Sequence, residues 1–327
     1  MATLTQIPAQ REHEQTHRLR VGTSFALVYF FWGSTYLAIE IAVRHFPAAL
    51  VGAWRFLIAG ALMLAWCAIT CKKIAISGKD ALRLLLVGVL LLTGGNVILI
   101  WTEQYINSGL AAMIVAVVPI WIALIEAIMG GDRLNPRGWT GLLLGIGGLL
   151  VLLWPDLTNG SAIGRRDLIV SLVLMLGSLS WALGSVLSRR FQLGVGPFAA
   201  TGWEMIFAGT VNTLIALSVG DFHHAGWSRS GWLAIGYLVT FGSLVGFTAY
   251  IWLLEHVPTP KVATYAYVNP VVAVFLGWMF LGERLDRYMM MGMVVIVAAV
   301  ILVTTSKLRS GRALAKSQAL SCEAGAD

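Results

Sequence analysis

The chain has 327 residues and a formal net charge of +7, yet only 12% of its residues are charged and 58% are hydrophobic, with a mean hydropathy of +0.79. A soluble chain carries about 25% charged residues, so a soluble globular enzyme, a disordered protein and a nucleic-acid-binding domain are excluded. The basic residues lie between apolar blocks and at the two ends, where they set membrane topology rather than meet phosphate.

A helix needs about 20 apolar residues to cross a bilayer, and the apolar blocks read as ten such spans in an all-α polytopic membrane protein. Residues 1–20 form a polar tail containing Arg11, Arg18 and Arg20. The apolar run that follows is too long for a signal peptide and has no small-x-small cleavage site after it, so it reads as a retained helix. Five spans fall at 22–42, 48–70, 81–101, 108–129 and 138–154. A periplasmic linker at 155–167 leads to five more, at 168–187, 198–219, 232–254, 262–281 and 288–304. The short loops carry breakers such as Pro47, Gly78, Pro136, Pro197, Pro258 and Pro260. Residues 306–327 are polar and basic and are expected to be a disordered tail. An even number of spans puts both termini on one side, and that side, if cytoplasmic, holds most of the 23 Lys and Arg residues.

The chain also repeats itself. At an offset of 151 residues, Trp101 aligns with Trp252, Pro119 with Pro270, Gly131 with Gly282 and Arg133-Leu134 with Arg284-Leu285. At an offset of 149, Trp32 meets Trp181, and Ala59-Gly60 meets Ala208-Gly209. The repeats are 21–154 and 168–305, each with five spans, and an odd number sets the second upside down relative to the first. Inverted repeats build secondary transporters, whose sites lie near the midplane where paired spans are interrupted. Pro119 and Pro270 are the expected interruptions, since proline frees backbone carbonyls to face a cavity.

Charge inside hydrocarbon is costly and marks pathways or paired sites. Glu40, Arg55, Glu103, Glu126, Glu204, Glu255 and Lys261 are the candidates, of which Glu40, Arg55, Glu103 and Glu204 are assigned to coupling or gating. Arg55 and Glu204 occupy equivalent positions, but inversion places them in opposite leaflets, so they are not expected to touch. Glu40 or Glu103 is the expected partner of Arg55, either as an outer gate or as a permanent structural pair. Trp32, Tyr36 and Glu40 share one helix face, as do Asn96 and Glu103, and Tyr265 and Asn269 are four apart before Pro270. Aromatic faces with a few polar groups suit an apolar pocket. The expected substrate cavity is Trp32, Tyr36, Asn96, Trp101, Pro119, Trp181, Tyr265, Asn269 and Pro270.

No phosphate-binding Gly-Lys-Ser/Thr loop is present, because Gly78-Lys79 is followed by Asp80, and this disfavours ATP-driven pumping within the chain. There is no His-Glu-x-x-His; His223-His224 is a weak metal lead, and Cys67, Cys71 and Cys322 have no disulfide or zinc spacing. No catalytic residue, metal or cofactor is expected. The expected partners are a small-molecule substrate, the lipid bilayer and protons as a coupling ion; no nucleic acid is expected, and no oligomeric state follows. A membrane-embedded enzyme and a channel are the alternatives.

Trp32-Gly33-Ser34-Thr35-Tyr36, Arg55-Phe56 followed by Ala59-Gly60, and Ser108-Gly109 followed by Ala111-Ala112 and Pro119 resemble the EamA-type drug/metabolite transporter superfamily. So do Ser180-Trp181-Ala182-Leu183-Gly184-Ser185, the run from Tyr265 to Val272, and Leu281-Gly282-Glu283. Within that superfamily the chain looks most similar to the YedA-like inner-membrane exporters. The resemblance spans about residues 22 to 305, with a motif set in each half. It implies ten helices in two inverted five-helix repeats and a cavity lined mainly by helices 1, 3, 4, 6, 8 and 9. It also implies secondary export of small organic molecules across the bacterial inner membrane. Where similar sequences often carry a basic residue this chain has Glu40, which implies an altered outer gate or a different preference for substrate charge.

Overall fold

The computed structural model describes residues 6–106, 111, 114–152, 154, 165–224, 226, 228–281, 287–306 and 308–310. Helix α1 runs from Gln6 to Val43. It therefore begins inside the stretch read from sequence as a polar tail. Pro8 falls in the first turn, where its missing N–H breaks no bond, and no other proline follows within the helix. His17 lies against Trp252 and His256, with ring centroids 6.3 and 6.1 Å away, so tertiary contact steadies this polar extension.

Helix α2 spans Ala48–Ile69 and starts directly after Pro47. The next, α3, covers Gly78–Thr102; the Ser77 hydroxyl accepts the Asp80 N–H at 3.1 Å and caps its first turn. Helix α4 is Val118–Ile128, α5 Pro136–Leu152 and α6 Arg165–Arg190. Helix α7 spans Pro197–Val219 and ends on Gly220, whose φ of 77° is the left-handed conformation that glycine adopts without a Cβ penalty. Helix α8 is Arg229–His256, capped by Ser228 on the Gly231 N–H at 3.2 Å. A single turn at Thr259–Val262 precedes α9, Tyr265–Leu281, and α10 is Arg287–Thr305.

Among the described residues, six helices are long and apolar enough to cross a membrane: α1 from Gln15, α2, α3, α6, α7 and α8. Val118–Ile128 and Met290–Val303 are shorter apolar helices. Large apolar side chains such as Trp66, Ile69, Ile128 and Leu233 point outward, as a lipid-facing surface requires and a soluble one rarely tolerates.

The packing is reciprocal between the halves. Helix α2 lies along α7 and α5 along α10, while α1 packs on α8 and α9, and α6 on α3 and α4. Small residues permit the closest approach: a Cβ on Gly60 would lie 2.9 Å from the Gly202 carbonyl, and one on Gly209 would lie 2.8 Å from the Leu57 nitrogen. Both α3 and α8 widen into π-helix midway, over Val89–Val97 and Leu238–Phe247. Such wide turns are rare and concentrate at functional sites. One expectation about the end of the chain is corrected. Leu308–Ser310 forms a strand, β2, paired antiparallel with β1, Asp132–Leu134, with Arg133 opposite Arg309; residues 311–327 lie outside the described set.

Candidate functional site

A cavity of about 70 Å³ lies at the centre, lined from α1, α2, α3, α6, α8, α9, the start of α4 and the segment leading into it. A buried water needs about 10–15 Å³, so this space takes several waters or a compact organic group. The π-helical stretches build two of its walls, contributing Gly95 and Asn96 on one side and Gly242 and Phe247 on the other.

The floor is aromatic. The Trp32 ring meets Trp181 edge on at 5.5 Å, Tyr265 edge on at 4.9 Å and Tyr250 tilted at 4.8 Å. Trp32 donates its indole N–H to the Gly242 carbonyl at 3.1 Å, and Trp181 donates to the Tyr250 hydroxyl at 3.2 Å. Polar tips satisfied in this way leave the ring faces and edges as apolar wall. Room for each indole comes from a glycine in the opposite half. A Cβ on Gly246 would lie 2.6 Å from Trp32, and one on Gly95 would lie 2.7 Å from Trp181. Gly95 and Gly246 are themselves equivalent at the 151-residue offset.

Arg55 enters the cavity from α2 and is 4% exposed. Its Nε donates to Ser243 Oγ at 2.9 Å and its Nη1 to Asn96 Oδ1 at 3.1 Å, and the guanidinium sits 5.0 Å from the Phe56 ring centre. Neither expected acidic partner pairs with it. Glu40 turns to the surface and pairs with Arg44, four residues on and just past the end of α1. Glu103 lies just past the end of α3 with Oε1 buried and unbonded. No ion pair joins Arg55 to Glu204 among the described residues. Glu204, on α7, is 1% exposed with Oε2 unbonded.

Of the residues assigned to the cavity from sequence, Trp32, Tyr36, Asn96, Trp181, Tyr265 and Asn269 line it, and Trp101, Pro119 and Pro270 do not. Trp101 packs edge on against Tyr105 at 4.9 Å. The prolines do not make the interruptions themselves. Pro119 occupies the first turn of α4, after a break at residues 116–117, and Pro270 lies inside α9, which restarts after a break at 263–264. The neighbours Val118 and Asn269 face the cavity instead. Sequence reasoning missed Thr35, Phe56 and Ser178 in the lining, and Ser243 and Tyr250, which hold Arg55 and Trp181 from behind it. Small hydroxyls and two aromatic rings inside apolar runs are the only local trace of them.

A second polar cluster lies at the other end of these helices. Glu126, buried on α4, takes Arg190 of α6 at 2.7 Å on Oε2 and the Thr259 hydroxyl at 3.0 Å on Oε1. Arg190 also donates to the Met129 carbonyl at 3.0 Å. The cluster ties α4 to α6 and to the turn before α9. Among the described residues no group of three His, Cys, Asp or Glu side chains is placed to hold a metal.

Residues 22–154 and 168–305 each match the EamA-like transporter family. The chain is 37% identical over 287 residues to the uncharacterized inner membrane transporter YedA of Escherichia coli K12, covering 88% of this chain and 90% of that one. It is 23% identical over 280 residues to the uncharacterized transporter YoaV of Bacillus subtilis, covering 85% and 94%. A WAT1-related chloroplastic protein of Arabidopsis thaliana is 25% identical over 287 residues, covering 84% of this chain and 67% of its own length. One solved crystal structure shares the fold with a TM-score of 0.75 at 20% identity, covering 87% of this chain and 96% of that one.

Proposed function

Because the chain belongs to the EamA-like transporter family, and is thus a membrane transporter, we propose that it exports small organic metabolites or drugs across the bacterial inner membrane by alternating access. In this reading ten spans form two inverted repeats, 21–154 and 168–305, with both termini cytoplasmic. The observation that carries it is the cavity lined from both halves, with Trp32 resting on Gly246 and Trp181 on Gly95. Reciprocal seats of this kind let one bundle rock against the other about a fixed site. The packing of α1 on α8 and α9, and of α6 on α3 and α4, supports the inversion.

Proton coupling belongs to the same proposal. Glu103 and Glu204 are the carriers we assign, since each keeps a buried side-chain oxygen with no hydrogen-bond partner among the described residues. The Glu126–Arg190 pair would hold one end shut, breaking when that end opens.

The test compares the extracellular metabolome of cells overproducing the protein with that of cells making Glu103→Gln at equal membrane level. A class of metabolites enriched by the intact protein alone supports export and implicates Glu103. Equal enrichment by both keeps export and removes Glu103 from coupling. No enrichment by either removes export of native metabolites.

A further inference from the structure

We propose that the substrate taken by this cavity carries a carboxylate, and that Arg55 is the group that binds it. The proposal rests on the transporter reading above and narrows it to a substrate class. A guanidinium has five N–H donors in a planar fork. Arg55 spends one on Ser243 and one on Asn96, both neutral. A cation held away from water calls for a counter-charge, and none pairs with it among the described residues: Glu40 is engaged by Arg44, Glu126 by Arg190, and neither Glu103 nor Glu204 bonds to Arg55. The Nη2 end of the fork lies beside Gly242, where a Cβ would come within 2.8 Å of it. Glycine there makes room for that end of the fork, and the structure gives Nη2 no hydrogen bond among the described residues although Arg55 lines the cavity. A carboxylate matches the fork in a way that an amide, an alcohol or an ammonium does not.

The rest of the lining describes the body attached to that carboxylate. Asn269 Oδ1 and Ser178 Oγ are buried cavity groups with no hydrogen-bond partner, placed for a donor and a weakly polar contact. Trp32, Trp181 and Tyr265 offer ring edges and faces to a compact apolar or planar skeleton. A small organic acid whose apolar or planar body carries one N–H or O–H donor, as an indole does, meets all of these.

The test uses the purified full chain in lipid nanodiscs and equilibrium binding of tritiated acid and amide pairs: acetate and acetamide, phenylacetate and phenylacetamide, indole-3-acetate and indole-3-acetamide. At least one acid is expected to bind about tenfold or more tightly than its own amide, the size of one charge-assisted hydrogen bond. Arg55→Gln should abolish the difference, and Arg55→Lys should keep part of it. Ser243→Ala, which leaves the charge and removes one brace, should weaken acid binding while leaving the amide unchanged, and this arm stands even if Arg55→Gln fails to fold. Equal binding of acid and amide, no binding of any acid, or an acid preference that survives Arg55→Gln would overturn the proposal. A metabolome enriched in neutral or cationic compounds would overturn it while leaving export intact. Arg55-dependent acid binding without any enrichment would keep this site and remove export instead.

Discussion

Trp32 and Trp181, the same position in the two halves, meet edge to face with ring centroids 5.5 Å apart and planes at 80°. Each indole rests where the opposite half has a glycine, so the two helices that carry them, α1 and α6, are keyed into α8 and α3 by shape rather than by charge.

That keying makes glycine substitutions costly. Alanine normally gains helix propensity over glycine, by about 1 kcal/mol. At Gly246, however, the new Cβ would lie 2.6 Å from the Trp32 indole, which is pinned by its bond to Gly242. Overpacking costs about 1–3 kcal/mol and outweighs the propensity gain. Gly246→Ala and Gly95→Ala should each lower the thermal midpoint of the detergent-solubilised protein by several degrees. Trp32→Phe added to Gly246→Ala should recover part of the loss; an unchanged midpoint in Gly246→Ala would refute the keying.

Removing either partner of the Glu126–Arg190 pair should give unequal losses. The Glu126 side chain is 3% exposed and that of Arg190 is 30%. Arg190→Gln strands a carboxylate with little access to water, at a cost of about 3–5 kcal/mol. Glu126→Gln leaves a guanidinium that reaches solvent and still donates to Met129, and costs about 1–2 kcal/mol. Unfolding of both variants in one detergent should show Arg190→Gln as the less stable. Equal losses would mean that Glu126 is better solvated than its burial indicates.

Glu40 should behave as a surface residue. Its pairing with Arg44 is exposed on both sides, and such pairs contribute about 0–1 kcal/mol. Glu40→Gln should leave the thermal midpoint within about a degree of the original. Because Glu40 does not face Arg55, the exchange Glu40→Arg with Arg55→Glu should not rescue the yield of folded protein lost in Arg55→Glu alone. Rescue would restore the outer-gate reading.

Asn212 of α7 is fully buried, with both side-chain polar atoms lacking a hydrogen-bond partner. An unsatisfied buried amide costs about 1–3 kcal/mol, and an apolar replacement of similar size removes that cost. Asn212→Leu should therefore raise the thermal midpoint. A fall would show that the amide finds a partner in the membrane-embedded protein.

The sequence by itself determined what depends on local spacing. Apolar blocks of bilayer length specify helices whatever packs against them, and two offset matches disclose the duplication. Trp32 and Tyr36 on one face, and Tyr265 and Asn269 on another, point into the cavity because residues four apart on a helix share a side. What tertiary structure decided is every distance between helices. Arg55 reaches Asn96 and Ser243 across 41 and 188 residues of chain, and Glu126 reaches Arg190 across 64. Charge and depth were legible for each of these groups. Their partners were not, because a hydrogen bond forms only within about 3 Å, and linear spacing says nothing about separation on that scale once the chain leaves one helix. That Trp101, Pro119 and Pro270 do not line the cavity was illegible for the same reason: packing between helices decides which residues of a span meet the central space.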